Sequence, residues 1–257
     1  MKRENLLSRK NRNVSKRFSG LLTFSLFICL AFILSACQQE VSVGDQTYEA
    51  ELLYQDGFDK NTGNWVVEQM EGGKTRWMNG KLDINDKSGC TVWFKERLNS
   101  PVVIEYHVTM VDSGGPNDRV SDLNCFWMAI DPDHPNDLFA ESEERGGRFA
   151  TYHPLRLYYV GFGANNNTTT RFRRYPGDGT RPMLPGHDLK DEKFMNIPNQ
   201  ERKVQIVANG STIQYLVDGE MVFDFHDDNP YTSGWFGFRT VKNHMKIDDF
   251  KVWRIKE

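Results

Sequence analysis

Histidine, tyrosine and arginine are the side chains here that could move a proton beside a negative charge. Six histidines occur: His107, His134, His153, His187, His226 and His244. A neutral imidazole accepts a proton near neutral pH, and a phenol can donate one. Arg239 lies five residues before His244, and Arg171, Arg173 and Tyr175 alternate along Arg171-Phe172-Arg173-Arg174-Tyr175. A base, an acid and cations that neutralise a carboxylate are what is needed to remove a proton next to that carboxylate and expel an oxygen. On this ground His107, His244, Tyr158 and Arg239 are the candidate catalytic residues. Trp127, Arg171, Arg173, Tyr175, Trp235 and Asn165 are the candidate substrate-binding residues, because rings offer flat apolar surface and guanidinium a planar donor fork. His134 and His226 fall in Asp-rich loops and read as solvated, whereas His153 sits in Thr151-Tyr152-His153-Pro154, just before an aromatic run. The runs Asp131–Asp137 and Asp224–Asn229 carry oxygen donors that could hold a structural Ca²⁺, but neither has EF-hand spacing, and acidic surface loops explain both. No metal or other cofactor is otherwise called for.

The elements that must position these residues are strands. No long segment has helical period; short alternating runs bounded by Gly, Asn, Asp and Pro recur, the pattern of an antiparallel sandwich or barrel. Expected strands are Val102–Val111, Cys125–Asp131, Arg156–Phe162, Thr170–Tyr175, Lys203–Ala208, Thr212–Val217, Met221–Phe225, Gly234–Thr240 and Lys246–Ile255. Asp218-Gly219 between two of them predicts a two-residue type I′ hairpin turn. Alternation sorts side chains between faces. It sends Ile104, Tyr106, Val108, Met110, Phe126, Met128, Ile130, Phe172, Phe236 and Phe238 to the core, and His107, Trp127, Arg171, Arg173, Tyr175, Trp235 and Arg239 outward. Asn165-Asn166-Asn167 reads as a turn, since Asn tolerates the left-handed conformation; its amides could also meet sugar hydroxyls.

Trp65 after Phe58-Asp59-Lys60-Asn61, the Tyr215–Glu220 hairpin, and Gly234-Trp235-Phe236-Gly237-Phe238-Arg239 followed by Ile247-Asp248-Asp249-Phe250-Lys251-Val252 resemble the concanavalin A-like lectin/glucanase superfamily over roughly residues 50–257. The resemblance implies an all-β, antiparallel two-sheet jelly-roll sandwich. The stretch Tyr158–Tyr175 is similar to a bacterial lipoprotein branch often encoded beside enzymes that degrade rhamnogalacturonan and other uronate-containing glycans, which implies a polysaccharide or oligosaccharide partner. The E-x-D-x-x-E strand motif of jelly-roll glucanases is absent, which turns the expectation from hydrolysis by paired carboxylates toward β-elimination on a uronate. Two alternatives stay open: a non-catalytic glycan-binding lipoprotein using the same rings and arginines, and chemistry on 3-keto sugars, to which related jelly-roll lipoproteins are assigned.

The chain of 257 residues carries a formal charge of −3. Its first seventeen positions hold seven basic residues and one acid, and Phe18–Ala36 is uncharged and largely apolar. Leu34-Ser35-Ala36-Cys37 closes the run and resembles the lipobox of bacterial lipoproteins, which implies a signal peptide (1–36), lipidation of Cys37, a tether (37–44) and a folded domain (45–257). An uncleaved membrane span is the alternative. The lipobox reading places the protein in the cell envelope, anchored to the outer membrane on either its periplasmic or its surface face, touching membrane only through the lipid. Removal of the leader's seven cations and one acid takes the net charge from −3 to −9, which argues against nucleic acid as a partner. Cys90 and Cys125 remain; they either pair or sit as small buried hydrophobes.

Overall fold

A computed structural model describes residues 39–256. The expected signal peptide and Cys37 lie outside the described residues. The strands are β1 (Glu40–Val43), β2 (Gln46–Asp56), β3 (Trp65–Gln69), β4 (Lys74–Met78), β5 (Lys81–Asn85), β6 (Cys90–Phe94), β7 (Leu98–Asn99), β8 (Val102–Met110), β9 (Leu123–Ile130), β10 (Arg156–Gly163), β11 (Thr169–Pro176), β12 (Asp188–Leu189), β13 (Glu201–Asn209), β14 (Thr212–Val217), β15 (Glu220–His226), β16 (Ser233–Thr240) and β17 (His244–Ile255). They form two antiparallel sheets. One runs β1-β2-β17-β8-β13-β14-β15, with the β4–β5 hairpin joined to β17; the other runs β12-β11-β10-β9-β16-β6-β3, with β7 joined to β16. This is the two-sheet jelly-roll sandwich that the resemblance implied. All nine expected strands are present. Asp218 (φ 53°) and Gly219 (φ 82°) form the tight turn between β14 and β15, where Val217 pairs with Glu220.

The core lies between the sheets. Ile104, Tyr106, Val108 and Met110 of β8 meet Phe236 and Phe238 of β16 there, with Trp65 and Phe250 closing an aromatic cluster. Trp127 corrects the sequence reading. It lies in this core with no exposure, beside Cys125 and Met128, while Phe126 turns to the opposite face. The cause is a bulge: Met128 takes φ 51°, and both neighbouring strands shift register there, so 127 and 128 fall on the same side.

Residues 40–44, expected in the tether, belong to the fold. Val41 and Val43 of β1 are buried with Val103, Val207 and Leu216 on the outer side of the first sheet, and Gln205 Nε2 donates to the Ser42 carbonyl at 2.7 Å. Cys90 and Cys125 are both free and buried. They sit on β6 and β9 with β16 between them, opposite Thr240 and Phe238. Two strand spacings, roughly 9.5 Å, exceed the reach of a disulfide.

Candidate functional site

The outer face of the second sheet concentrates polar side chains. Cross-strand partners at one level read Glu68, Thr91, Arg239, Asn124, Gly161, Arg171 and Asp188, from β3 to β12. The next level reads Trp93, Gly237, Phe126, Tyr159 and Arg173. Glycines make room for the large groups beside them. A Cβ on Gly237 would stand 2.5 Å from the Trp93 ring, and one on Gly161 would stand 2.5 Å from Tyr159 Oη.

Half of this face is covered. The segment between β9 and β10 carries α1 (Ser142–Arg145) and a 3₁₀ turn, Phe149–Tyr152. Leu138, Tyr152 and Leu155 from it pack over Trp93, Phe126 and Trp235. Glu68 fastens this cover: its buried carboxylate accepts from Arg145 Nη2 at 2.7 Å, Trp93 Nε1 at 3.1 Å and Tyr152 Oη at 2.6 Å. Gly147 (φ 83°) presses so close that a Cβ would meet the Gly89 carbonyl oxygen at 2.6 Å, and its own carbonyl accepts from Arg239 Nη1 at 2.6 Å.

Beside the cover, the face opens into a cavity of about 400 Å³. Arg171 and Arg173 from β11, Tyr159 from β10 and Asn124 from β9 form its sheet side; Arg119, Arg181, Asn165 and Phe149 come from surrounding loops. Asn165, Asn166 and Asn167 take φ 53–60°, as expected of Asn in a left-handed turn. Two of the four arginines are matched by acids: Arg119 is ion-paired with Asp122, and Arg171 Nε donates to Asp188 at 2.9 Å. Arg173 donates to the Arg181 carbonyl, and among the described residues neither Arg173 nor Arg181 has a carboxylate partner. The cavity therefore carries net positive charge, four guanidiniums against Asp122 and Asp188, in a chain that is acidic overall.

Tyr159 is 7% exposed, and no protein hydrogen bond holds its hydroxyl among the described residues. Burial pushes its pKa up; the cations of Arg239 and Arg173 pull it partly back. The phenol is therefore protonated at neutral pH. Behind Phe149, His153 touches the rings of Phe149 and Tyr175; burial and then the Arg181 charge lower its pKa, so it is neutral.

The structure brings Arg171, Arg173 and Asn165 together around the cavity and leaves the other candidates elsewhere. Tyr158 faces the core, 0% exposed, where its hydroxyl donates to Asp227 and accepts from the Tyr231 N–H; the neighbouring Tyr159 points outward instead. Trp127 is in the core, as above. Arg239 and Trp235 occupy the outer face as expected, but lie buried under the cover: the Arg239 guanidinium sits over Phe149 and Tyr152, and Trp235 Nε1 donates to the Lys95 carbonyl. Tyr175 shares that face, fully buried.

His107 and His244 belong to the other sheet. His107 on β8 faces away from the core, 3.8 Å from Asp249. His244 on β17 is clasped by Asp118 at Nδ1 (3.0 Å) and Asp83 at Nε2 (3.1 Å), which raise its pKa; it holds the 112–122 loop rather than lining the cavity. In the Asp-rich loops, Asp131 and Asp227 accept from backbone N–H groups two residues on, and among the described residues no group of three or more acidic, His or Cys side chains could hold a metal. Arg119, Arg181, Tyr159 and Asn124 went unread in the sequence. The pairing of Arg173 with Tyr159 across β10 and β11 was the missing signal, since Leu157-Tyr158-Tyr159-Val160 is apolar on both parities.

Solved structures resemble this chain in fold at low identity. A galectin-like protein of unknown function from Bacillus subtilis superposes with a TM-score of 0.63 at 16% identity, covering 82% of this chain and 100% of that one. A β-glucanase from Bacillus licheniformis gives 0.52 at 11%, covering 79% and 98%. The exoplasmic/lumenal domain of VIP36, in a Ca²⁺- and Man2-bound form, gives 0.53 at 12%, covering 80% and 90%. No curated protein matches by sequence. Residues 84–250, the stretch that supplies most of both sheets and every wall of the cavity, match one family along their whole length, and the chain belongs to it: Domain of unknown function (DUF6250).

Proposed function

We propose that the cavity takes an acidic sugar residue, and that the chain is a carbohydrate-active protein of the cell envelope tethered through Cys37. The observation that carries this is the pair of guanidiniums, Arg173 and Arg181, without carboxylate partners in ion-pair contact, in a cavity that Tyr159 also lines. An arginine fork binds a carboxylate through two parallel hydrogen bonds, and a ring supports the apolar face of a sugar. The glucanase and the mannose-bound domain among the structural neighbours favour a glycan as the ligand class.

For β-elimination of a uronate, Tyr159 is the group at hand. Its phenol proton first passes to solvent, at the cost that burial imposes and the Arg239 and Arg173 charges partly offset; the phenolate then takes the proton beside the carboxylate, the C–O bond to the leaving sugar breaks, a C=C bond forms, and that proton passes to the departing oxygen. Arg173 and Arg181 would neutralise the carboxylate and stabilise the charge that builds on it. A non-catalytic binding protein is the second reading. It is favoured by the burial that keeps Tyr159 protonated and by the placement of His107 and His244 on the other sheet. Ultraviolet absorbance of the unsaturated product, followed with a panel of uronate glycans, separates the two. A rise that Tyr159→Phe abolishes while binding persists supports the lyase. A flat trace with calorimetric binding supports the binder, and absence of binding by any acidic glycan overturns both.

A further inference from the structure

We infer that the cavity receives the end of an acidic glycan chain, a terminal residue or two, and excludes chain interiors; this rests on the acidic-glycan reading above. An extended polysaccharide lying across a jelly-roll sheet needs an open face several strands wide. Here that face is closed from β3 to β9 by the 131–155 cover, whose Leu138 and Tyr152 are fully buried against Trp93 and Phe126.

The cover is built as a wall, not a lid. The Glu68–Arg145 ion pair, the Arg239–Gly147 bond and the close approach of Gly147 to the Gly89 backbone hold it along its length, and Glu68 and Arg145 are 2% and 3% exposed. Phe149 ends the wall at the cavity, with Arg239 packed behind its ring at 5.3 Å. The opposite sides are also occupied. Arg181 reaches in from the loop after β11, and its guanidinium lies 5.3 Å over the same Phe149 ring; the Asn165-Asn166 turn and Arg119 line the remaining sides. What is left, about 400 Å³, lies near the lower end of the roughly 300–1,000 Å³ range of small-ligand sites. A chain running across the strands toward β3 would have to pass under Phe149, where the cover already meets the sheet.

The test is calorimetric binding of the full chain to uronate oligosaccharides of increasing length, each with its termini free or chemically blocked, and to a free uronic acid. The expected result is one site per oligosaccharide at every length, an affinity that levels off after one or two residues, competition by the free uronic acid, and at least a tenfold loss when one particular terminus is blocked. Affinity that climbs steadily with length, with several protein molecules per long chain and no effect of blocking either terminus, would overturn end recognition while leaving the acidic-glycan reading intact. No binding by any uronate, free or blocked, would overturn that underlying reading instead.

Discussion

Glu68→Gln probes the fastening of the cover. The carboxylate is 2% exposed and accepts bonds from Arg145 Nε at 3.1 Å and Nη2 at 2.7 Å, from Trp93 Nε1 and from Tyr152 Oη. The amide keeps the volume and one acceptor but removes the negative charge. Arg145, 3% exposed, is then left with Asp131, 4.0 Å away, as its nearest acid. Stranding one partner of a buried ion pair costs about 3–5 kcal/mol. The residual acceptor and Asp131 put the substitution at the lower end, about 3 kcal/mol, which for a domain of this size lowers Tm by roughly 6–12 °C. Replacing both partners, Glu68→Gln with Arg145→Met, removes the stranded charge while keeping an amide acceptor for Trp93 or Tyr152, and recovers most of that loss. Urea and thermal unfolding of the single and double variants measure both quantities. A single variant within about 1 kcal/mol of wild type would refute the fastening argument, because a loss that small is typical of exposed ion pairs. A double variant no better than the single one would show that hydrogen bonds to Trp93 and Tyr152, rather than charge, hold the cover.

Arg173→Ala removes a guanidinium with no acid in ion-pair contact, so it should weaken binding of a uronate by about 1.5–3 kcal/mol, roughly 10- to 150-fold, with unfolding unchanged; calorimetry checks the first and thermal melts the second. His244 gives a pH signature. Asp83 and Asp118 raise its pKa above the ordinary 6.5, so its contribution is fully present below that value and is lost as pH rises through the higher folded-state value. The stability difference between wild type and His244→Gln should therefore shrink as pH rises through and above neutrality; a difference independent of pH would refute the charged clasp. Cys90 and Cys125, whose thiols burial pushes up to about 12, should resist alkylation in the folded protein and react only in denaturant, as peptide mass spectrometry would show.

Strand identity was readable because each of the nine expected strands is bounded by turn-forming residues and at least one of its faces is apolar. Face assignment was readable only where one side of the strand is polar. Arg171 and Arg173 alternate with Phe172, and they stand where alternation puts them. Along β9 and β10 both faces are apolar, one against the core and one under the cover, so alternation carries no sign; Trp127 was assigned to the wrong side, and Tyr158, a candidate catalytic residue, faces the core. The Met128 bulge then shifts the phase within β9 itself.

By itself the sequence determined the antiparallel strands, the Asp218-Gly219 hairpin, the left-handed Asn turn and the arginine-bearing strand, because turn chemistry and two-residue periodicity act between neighbours in the chain. The tertiary structure decided which groups share a site. Arg119, Tyr159 and Arg181 meet Arg171 and Arg173 only through strand pairing and loop packing, while His107 and His244 are carried to the other sheet. Whether an outward side chain is open or buried was also decided there, since the 131–155 segment covers Trp235 and Arg239 through contacts with Glu68 and Trp93 that no local pattern encodes.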